Sequence, residues 1–415
     1  MFLLYNLIGF FILLSSPVII IYRILKNKES PSRFKEKFCF FTKKRKRGKL
    51  IWFHGSSVGE IMSVIPIIKQ LEKNKAINQI LVTSSTLSSS VVFSKYRFKK
   101  TIHQFFPLDI SFLTNIFLEY WKPQLTIFIE SEIWPNMIKN INNKSIPLIL
   151  LNARLTKKSF DKWIKNKKIS NYLFSKIDLA LPQNIETHKY LKKLKVKRIK
   201  FLGNLKYTEE EDFTLLKLNK LLKKELSKKL IWCGASTHHN EENNLGKVHL
   251  KLKKRYKNIL TIIIPRHVHR SFTILRNLEK MNLNVHRHSS NKRINEKTDI
   301  YLVDTYGEAK KFFQICKIVF LGGSLVRHGG QNPIEAARYG CKIIHGPHIN
   351  NFKDVYSFLG KKNISTKVNN LNNLTKSIEG SLIKKPSNNQ VKMIQAISNK
   401  ILDKNLREIN NFINA

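Results

Sequence analysis

The sequence predicts an α/β fold of two Rossmann-like domains behind an apolar N-terminal helix. Apolar runs of strand length alternate with amphipathic helical stretches from residue 50 onward, which is typical of a parallel sheet covered on both faces. A polar helical stretch at 208–229 separates two series of this kind. The chain has 415 residues, 42% of them hydrophobic, and therefore exceeds the size of one ordinary core.

The N-terminal segment MFLLYNLIGFFILLSSPVIIIY, residues 1–22, carries no charged side chain. A helix that spans a bilayer needs ~20 apolar residues, whereas a signal peptide starts with a basic region and ends at a small-residue cleavage site. Basic residues follow this segment, as in KKRKRGK at 43–49, and by the positive-inside rule they place the remaining chain in the cytoplasm. We predict a membrane anchor at 1–25, either spanning or lying in the membrane plane, and a basic linker at 26–49.

The strands of the two predicted domains are continuous apolar runs that end in turn residues. The first series comprises LIWFHG, INQILVTSS, IHQFFPLD, QLTIFIES, IPLILLNARL, DLALPQN and IKFLGN. The second comprises LIWCGAS, NILTIIIPRH, DIYLVDT, KIVFLGG and CKIIHGP. These runs define an N-terminal domain at 50–207, a C-terminal domain at 208–388 and a final amphipathic helix at 389–415.

The charge of the chain is strongly basic, with 75 Lys and Arg against 28 Asp and Glu, a formal net charge of +47. Such a charge suits an anionic partner such as a membrane surface, or else reflects a whole-chain composition bias. No nucleic-acid partner is expected, because RNP-like aromatics, zinc-finger spacing and basic heptads are missing from the sequence. The four cysteines form no C-x-x-C pair and no H-E-x-x-H occurs, so we expect a reduced, cytosolic environment, no disulfide framework and no metal site.

Ligands of open α/β sheets bind beyond the carboxyl ends of the strands, and GSSVGE follows the first strand. Ser57 and Glu60 match a capping box, S-x-x-E, in which the Glu side chain bonds back to the cap. The same location suits a general base, because the N-terminus of a helix keeps a carboxylate ionised. The sequence alone leaves both roles open.

Three further side chains of the first domain lie at predicted strand ends. Glu130 and Glu132 in IESEIWPN share a face if the strand continues, and Pro135 predicts a helix start. They are either functional carboxylates or ordinary solvated acids. Lys206 in LGNLKY is either a residue of the interdomain cleft or one surface lysine among many.

The second domain contains the pattern of a nucleotide-sugar site. Pro265 and Arg266 directly follow a buried strand, where an Arg can bind phosphate or form an ordinary ion pair. In KIVFLGGSLVRHGGQNPIEAARYGCKIIHGPHINNFKD, a Gly-rich turn precedes a helix that begins near Asn332 and Pro333. Glycines permit close approach of the backbone and helix N-termini offer N–H groups to anions, while Glu335 is placed to accept hydrogen bonds from ribose hydroxyls.

The whole set of motifs resembles the 3-deoxy-D-manno-octulosonic acid (Kdo) transferases of lipopolysaccharide core biosynthesis. The resemblance covers nearly the whole chain and rests on the following stretches in order: the apolar N-terminus, SVGE, ESEIWPN, LNARL, GNLKY, ASTHHNEE, PRH, GE at 307–308, GGSLVRHGGQNPIEAA and GPHINNFKD. It implies a GT-B glycosyltransferase fold, two Rossmann-like domains facing a cleft. It also implies CMP-Kdo as donor, a tetraacyl lipid A precursor (lipid IVA) as acceptor, and association with inner-membrane lipids at the cytoplasmic face.

The resemblance assigns roles to individual residues. Glu60 matches the family's proton acceptor, and Glu130 and Lys206 match positions of transition-state stabilisation. The CMP-Kdo-binding positions are Pro265, Arg266, Gly307, Glu308, Ala309, Asn332, Pro333, Ile334 and Glu335. Departures from the family pattern are FHGS before SVGE, His239 and Asn240 in place of Glu-Gly, and Gln331 where His is frequent; they leave the functional groups in place.

The chemistry expected of these residues is a single inverting displacement. A carboxylate that takes the proton of a sugar hydroxyl makes it a competent nucleophile, and CMP leaves as a monophosphate ester. No D-x-D pair is placed to hold a metal, so neither metal nor other cofactor is expected. Two alternatives are a GT-B enzyme with a UDP-sugar donor and a non-enzymatic basic membrane adaptor; the adaptor does not account for the Gly-rich nucleotide pattern.

Overall fold

The computed structural model describes residues 2–208, 218–290, 292–383 and 388–414. The chain forms two compact units: unit 1 comprises Met1–Glu210 and Ile397–Ala415, and unit 2 comprises Glu211–Ala396. Part of the polar stretch predicted as helical at 208–229, residues 209–217, lies outside the described residues.

Unit 1 is built on a six-stranded parallel sheet in the order β3-β2-β1-β4-β5-β6. Its strands are β1 Leu50–His54, β2 Gln79–Ser84, β3 Thr101–Phe105, β4 Leu125–Ile129, β5 Leu148–Ala153 and β6 Leu179–Pro182. Its helices up to β6 and beyond are α1 Phe2–Leu25, α2 Val58–Leu71, α3 Leu87–Phe93, α4 Ser111–Trp121, α5 Pro135–Asn143, α6 Lys157–Lys165, α7 Lys167–Phe174 and α8 Ile185–Lys193.

The central strand β1 shows why these runs are apolar throughout. Its side chains alternate between the two faces of the sheet: Trp52 packs in one core cluster, and Ile51 and Phe53 pack in another on the opposite face. Because helices cover both faces, every residue of β1 is buried, as predicted for a parallel sheet.

Unit 2 repeats the arrangement with a seven-stranded parallel sheet in the order β13-β12-β11-β7-β8-β10-β9. Its strands are β7 Leu230–Thr237, β8 Ile259–Pro265, β9 Val285–Arg287, β10 Ile300–Leu302, β11 Ile318–Leu321, β12 Lys342–His345 and β13 Ser365–Lys367. The helices that follow α8 are α9 Lys220–Ser227, α10 Glu241–Lys253, α11 Ser271–Glu279, α12 Ala309–Phe313, α13 Ile334–Arg338, α14 Lys353–Lys361, α15 Leu371–Ile383 and α16 Asn388–Asn414. The C-terminal part of α16 packs in unit 1, where Ile401, Ile409 and Ile413 are buried in the core cluster that contains Phe53.

Two segments differ from the sequence-based expectations. IKFLGN, predicted to be the last strand of the first domain, makes one isolated bridge between Ala180 and Ile199, and Lys206 lies in a short 3-10 helix, Leu205–Tyr207. The segment 26–49, expected to be a basic linker, packs on unit 1: Glu36 is fully buried, ion-paired with Arg33, and accepts the backbone N–H of Phe105 at 2.8 Å.

Candidate active site

The strand order of unit 1 reverses between β1 and β4, since β2 and β3 lie on one side of β1 and β4 lies on the other. Crevices at such a topological switch point are where open α/β sheets bind ligands. Glu60 follows β1, and Glu130 and Glu132 follow β4. Three carboxylates therefore end on neighbouring strands at this point.

Glu60 forms the predicted capping box at the start of α2. The backbone N–H of Glu60 donates to Ser57 Oγ at 3.3 Å, and Glu60 Oε2 accepts the N–H of Ser57 at 3.3 Å and of Ser56 at 2.7 Å. The capping interpretation is thus confirmed, and these bonds fix the carboxylate at the edge of the sheet, in a position from which it can also act on a ligand.

Glu132 is held by three side-chain donors. Glu132 Oε2 accepts hydrogen bonds from Ser56 Oγ at 2.7 Å and Trp134 Nε1 at 2.7 Å, and it lies 3.0 Å from His54 Nε2, which must donate because an ionised carboxylate only accepts. Burial opposes ionisation, but the bonds from His54, Ser56 and Trp134 hold the pKa of Glu132 below its ordinary value. Glu132 is therefore ionised at neutral pH.

The pKa of Glu60 moves in the opposite direction. Burial raises the pKa of the Glu60 carboxyl, and the negative charge of Glu132, with a smaller contribution from Glu130, raises it further. Two neighbouring carboxylates whose pKa values are separated by their surroundings are a common arrangement in acid–base catalysis. Here Glu60 is the one with the greater affinity for a proton.

Glu130 and Glu132 do not share a strand face, contrary to the expectation from their spacing. Strand β4 ends at Ile129, and Glu130 adopts the left-handed backbone conformation with φ of 56°, which is uncommon for a residue with a side chain. This turn brings Glu130 Oε1 to 2.6 Å from Lys206 Nζ. The structure therefore joins two of the predicted catalytic residues, Glu130 and Lys206, in one ion pair.

Sequence reasoning missed His54 and gave Glu132 no role. His54 is fully buried and its ring stacks on Phe106 with centroids 3.7 Å apart. Its Nδ1 lies 3.0 Å from Thr83 Oγ1, so both ring nitrogens have partners. The signal in the sequence was a histidine at the end of the apolar run LIWFH, immediately before the turn that carries Glu60.

The switch point of unit 2 lies between β7 and β11, and Glu241 at the start of α10 connects the loops that follow these two strands. Its carboxylate accepts four backbone N–H groups: Oε2 from His238 at 2.9 Å and Gly323 at 2.7 Å, and Oε1 from Ser324 at 3.2 Å and Leu325 at 3.0 Å. Glu241 is fully buried. One side chain thereby sets the shape of the Gly-rich loop, a role that sequence reasoning did not identify.

The predicted donor-binding residues follow β8, β10 and β11, three strands around this switch point. Pro265 ends β8, and the exposed Arg266 donates its backbone N–H to Thr237 O at 3.0 Å. Gly307 has a positive φ of 83°, and Glu308 Oε1 accepts from Lys311 Nζ at 3.0 Å.

The remaining donor residues surround the short helices α12 and α13. Ala309 begins α12, Pro333 immediately precedes α13, and Ile334 and Glu335 lie in the first turn of α13. Asn332 Oδ1 accepts the N–H of Ile334 at 3.1 Å. The structure thus distributes these residues along one edge of the unit 2 sheet.

A cluster of histidines lies beside the Gly-rich loop. The rings of His238 and His328 meet edge-to-face with centroids 3.8 Å apart. Burial, together with the neighbouring His328, His267 and arginines, lowers the pKa of His238 to about 4, so it is neutral at pH 7 and can accept a hydrogen bond from Gln331 Nε2, 3.0 Å away. A cavity of about 520 Å³ adjoins this cluster; it is lined by Arg327, His328, Gly329, His348, Asn350 and Asn351.

The chemistry of this region suits an anion, since cationic and N–H groups surround the cavity. Within the described ranges, no three His, Cys, Asp or Glu side chains are grouped closely enough to hold a metal ion.

Comparison with known proteins identifies the family. A family model described as 3-deoxy-D-manno-octulosonic-acid transferase (kdotransferase) matches residues 32–209. A protein of Rickettsia bellii named 3-deoxy-D-manno-octulosonic acid transferase is 33% identical over 420 residues, which cover 99% of this chain and 99% of the relative. The chain belongs to the 3-deoxy-D-manno-octulosonic acid (Kdo) transferase family. It is therefore an enzyme, and the resemblance deduced from its motifs is confirmed.

Other members of the Kdo transferase family match over most of the chain. A probable mitochondrial Kdo transferase of Arabidopsis thaliana is 34% identical over 351 residues, 82% of this chain and 78% of the relative. The Kdo transferase of Haemophilus influenzae is 33% identical over 312 residues, 74% of this chain and 73% of the relative.

The solved structures that resemble this chain support the predicted fold class. UDP-GlcNAc 2-epimerase from Neisseria meningitidis has a TM-score of 0.55 at 14% identity, covering 88% of this chain and 99% of that one. A putative UDP-N-acetylglucosamine 2-epimerase from Listeria monocytogenes has a TM-score of 0.59 at 11% identity, covering 88% and 97%. At this identity the likeness concerns the fold alone, which is GT-B.

Proposed function

We propose that this chain transfers Kdo from CMP-Kdo to a tetraacyl lipid A precursor (lipid IVA) in lipopolysaccharide core biosynthesis, at the cytoplasmic face of the inner membrane. Glu60 is the general base, and Glu130 and Lys206 stabilise the transition state. The donor is held by Pro265, Arg266, Gly307, Glu308, Ala309, Asn332, Pro333, Ile334 and Glu335. Membership of the Kdo transferase family supports the reaction type, and the geometry of unit 1 supports the assignment of the base.

The observation that carries the proposal is the difference between Glu60 and Glu132. An acceptor hydroxyl becomes a good nucleophile when a carboxylate removes its proton as the new bond forms. Glu132, with three donors on its carboxylate, gains little from a proton. Glu60 has a raised pKa because of burial and the adjacent charge, and it is therefore the better base of the two.

The reaction is a single displacement that inverts the anomeric centre. The acceptor oxygen attacks as CMP departs, the proton passes to Glu60, and no covalent intermediate with the chain is formed. The ammonium of Lys206, oriented by its ion pair with Glu130, offsets negative charge in the transition state. On the donor side, Arg266 and the backbone N–H groups of the Gly-rich region offset the charge of the departing phosphate.

The apolar helix α1 supports a membrane location. Residues Tyr5–Leu25 have a mean hydropathy of 2.2, sufficient by length and composition to cross a bilayer. A lipid acceptor is itself held in the membrane, so an enzyme attached to the same surface meets it without extracting it from the bilayer.

The substitution Glu60→Gln tests the base. Gln also completes a capping box, so the variant should keep its melting temperature and its affinity for CMP, while transfer should slow by about 10²–10⁴-fold because the proton acceptor is lost. Glu119→Gln is a matched control, since Glu119 is 58% exposed on α4. Near-normal turnover of Glu60→Gln would refute this assignment and make Glu130 the next candidate.

The donor is tested by calorimetry and by product mass. CMP should bind more tightly than UDP, and Arg266→Ala and Glu335→Ala should each weaken CMP binding by about 1–3 kcal/mol if a charge-assisted bond is lost. Tighter binding of UDP would instead favour a UDP-sugar donor. Incubation with CMP-Kdo and lipid IVA, followed by mass spectrometry, determines whether Kdo is transferred.

A further inference from the structure

Helix α1 lies along the surface of unit 1. Tyr5 Oη donates a hydrogen bond to Asp109 Oδ2 at 2.8 Å. One turn later, a Cβ on Gly9 would lie 3.5 Å from Ile110 Cγ1, and Leu13 packs against the core cluster of unit 1. These contacts join the first half of α1 to the loop between β3 and α4.

The contacting residues form one narrow stripe that runs down the helix. After Leu13, the next buried residues are Ser16 and Ile20, which are 6% and 8% exposed. The spacing 5, 9, 13, 16, 20 keeps all five within about 80° of the helix circumference at 3.6 residues per turn. The other faces carry apolar side chains that are 44% to 76% exposed: Leu7, Ile8, Phe10, Phe11, Ile12, Leu14, Val18, Ile19, Ile21, Tyr22 and Leu25.

The packed part of α1 is as long as a membrane crossing. Arg23, at the far end, pairs with the buried carboxylate of Glu29 at 3.2 Å, so the contacts with unit 1 extend from Tyr5 to Arg23. At 1.5 Å per residue this is about 27 Å of helix, against ~30 Å for the hydrocarbon core of a bilayer. Unit 1 therefore lies beside nearly the whole length that would have to be inside the lipid.

A spanning orientation is incompatible with these contacts. It would bring Asp109 and the polar loop around it into hydrocarbon, where polar groups without partners are costly, or it would remove α1 from its seat. Removal breaks the bond to Asp109, whose carboxylate also accepts the N–H groups of Asn136 and Met137 at the start of α5. It would also expose the buried stripe residues, as well as leaving Glu29 without its Arg23 partner.

We infer that α1 is an in-plane helix, with its narrow stripe on unit 1 and its broad apolar face in one leaflet of an anionic bilayer. An apolar face of this kind lies at the boundary of headgroups and acyl chains. Residues near the N-terminal end of α1 continue the surface: Phe112 and Ile116 of α4 are 52% and 43% exposed. This inference rests on the proposed membrane location and specifies its geometry.

The charges close to α1 suit anionic lipids. Tyr5 lines a cavity of about 380 Å³ together with Lys162, Trp163 and Ile169 of α6 and α7. These two helices carry six lysines: Lys157, Lys158, Lys162, Lys165, Lys167 and Lys168. Lysines around an apolar face are attracted to a negative membrane surface, and here they extend the membrane-binding face beyond α1.

Site-directed labelling distinguishes the two orientations. The four native cysteines are buried, so Asn6→Cys, at an exposed position, provides a unique site for a membrane-impermeant maleimide. The full-length protein is added to the outside of preformed phosphatidylethanolamine–phosphatidylglycerol vesicles. The in-plane helix should be labelled from outside to the same extent as the control Lys28→Cys, whereas labelling of Asn6→Cys that requires detergent would overturn the inference.

A cross-link tests whether α1 remains seated on unit 1 in the membrane. Gly9→Cys with Ile110→Cys should form a disulfide in vesicles on mild oxidation, and Phe11→Cys with Ile110→Cys should not, because Phe11 is 61% exposed on the lipid-facing side. A Gly9–Ile110 pair that cross-links in detergent but not in vesicles would mean that α1 leaves unit 1. Loss of Kdo transfer with unchanged labelling would refute the proposed function but not the in-plane helix.

Discussion

Replacing Glu241 by Gln removes half of the acceptors that hold the Gly-rich loop of unit 2. The carboxylate accepts N–H groups on both oxygens, from His238 and Gly323 on Oε2 and from Ser324 and Leu325 on Oε1. An amide keeps one oxygen and presents an NH₂ group in place of the other. Two backbone N–H groups then face a donor.

The magnitude follows from the burial of this site. Glu241 and Ser324 are fully buried, so water cannot easily replace the lost acceptor. A buried donor without a partner costs about 1–3 kcal/mol, and two cost about 2–6 kcal/mol. If the cost appears as local opening, amide exchange at the affected positions accelerates by about 30-fold to 10⁴-fold, because each 1.36 kcal/mol is a factor of ten.

Hydrogen exchange followed by mass spectrometry measures this effect on the donors themselves. Peptides that cover 322–331 should exchange faster in Glu241→Gln, and the affinity for CMP should fall because the loop is no longer held in shape. Glu279→Gln is the matched control, since Glu279 is exposed at the end of α11 in the same unit. Unchanged protection of the loop in Glu241→Gln would refute the argument that this carboxylate shapes it.

Two further predictions concern unit 1. Glu132→Gln should move the acidic limb of the pH–rate profile to lower pH: the charge of Glu132 raises the pKa of Glu60, the amide has no charge, and the ionised base then persists to lower pH; an unmoved limb would show that Glu132 does not act on Glu60. Lys206→Met leaves a 6% exposed carboxylate on Glu130 without its cation and should lower the free energy of unfolding in urea by about 2–3 kcal/mol, below the range for fully buried pairs because Lys206 is partly exposed. The double variant with Glu130→Gln should recover this loss yet remain inactive, and a single variant as stable as the parent would contradict the prediction.

The sequence predicts those parts of the fold that depend on burial. Strands such as β1 and β4 are covered on both faces and must be apolar at every position, so they are recognisable as runs. The strands β9 and β13, Val285–Arg287 and Ser365–Lys367, lie at the two edges of their sheet, and they were missed because three half-exposed residues form no apolar run. IKFLGN has the composition of a strand, but its Gly203 adopts φ of 106° beside Ile401 of α16, a long-range contact that local composition does not encode.

The site is predictable where local rules decide and not where tertiary partners decide. The capping box of Glu60 depends on a spacing of three residues within one turn, and the sequence contains that information. The left-handed backbone of Glu130 and its ion pair with Lys206 bring together residues that are far apart in the chain. The carboxylates of Glu29 and Glu36 appear to composition as ordinary charges in a basic stretch, although both are buried and paired.

The C-terminal end of the chain is part of the core of unit 1. Ile401, Ile409 and Ile413 of α16 are buried with the strands of that unit, and Lys49 Nζ donates to Ile413 O at 2.6 Å. A ribosome must therefore synthesise all of unit 2, Glu211–Ala396, before unit 1 can close, a delay on the order of ten to forty seconds at ~5–20 residues per second. During that interval the nascent sheet has one apolar face without its last helix, so a chain that stops before residue 397 keeps this face open to chaperones, proteases and aggregation.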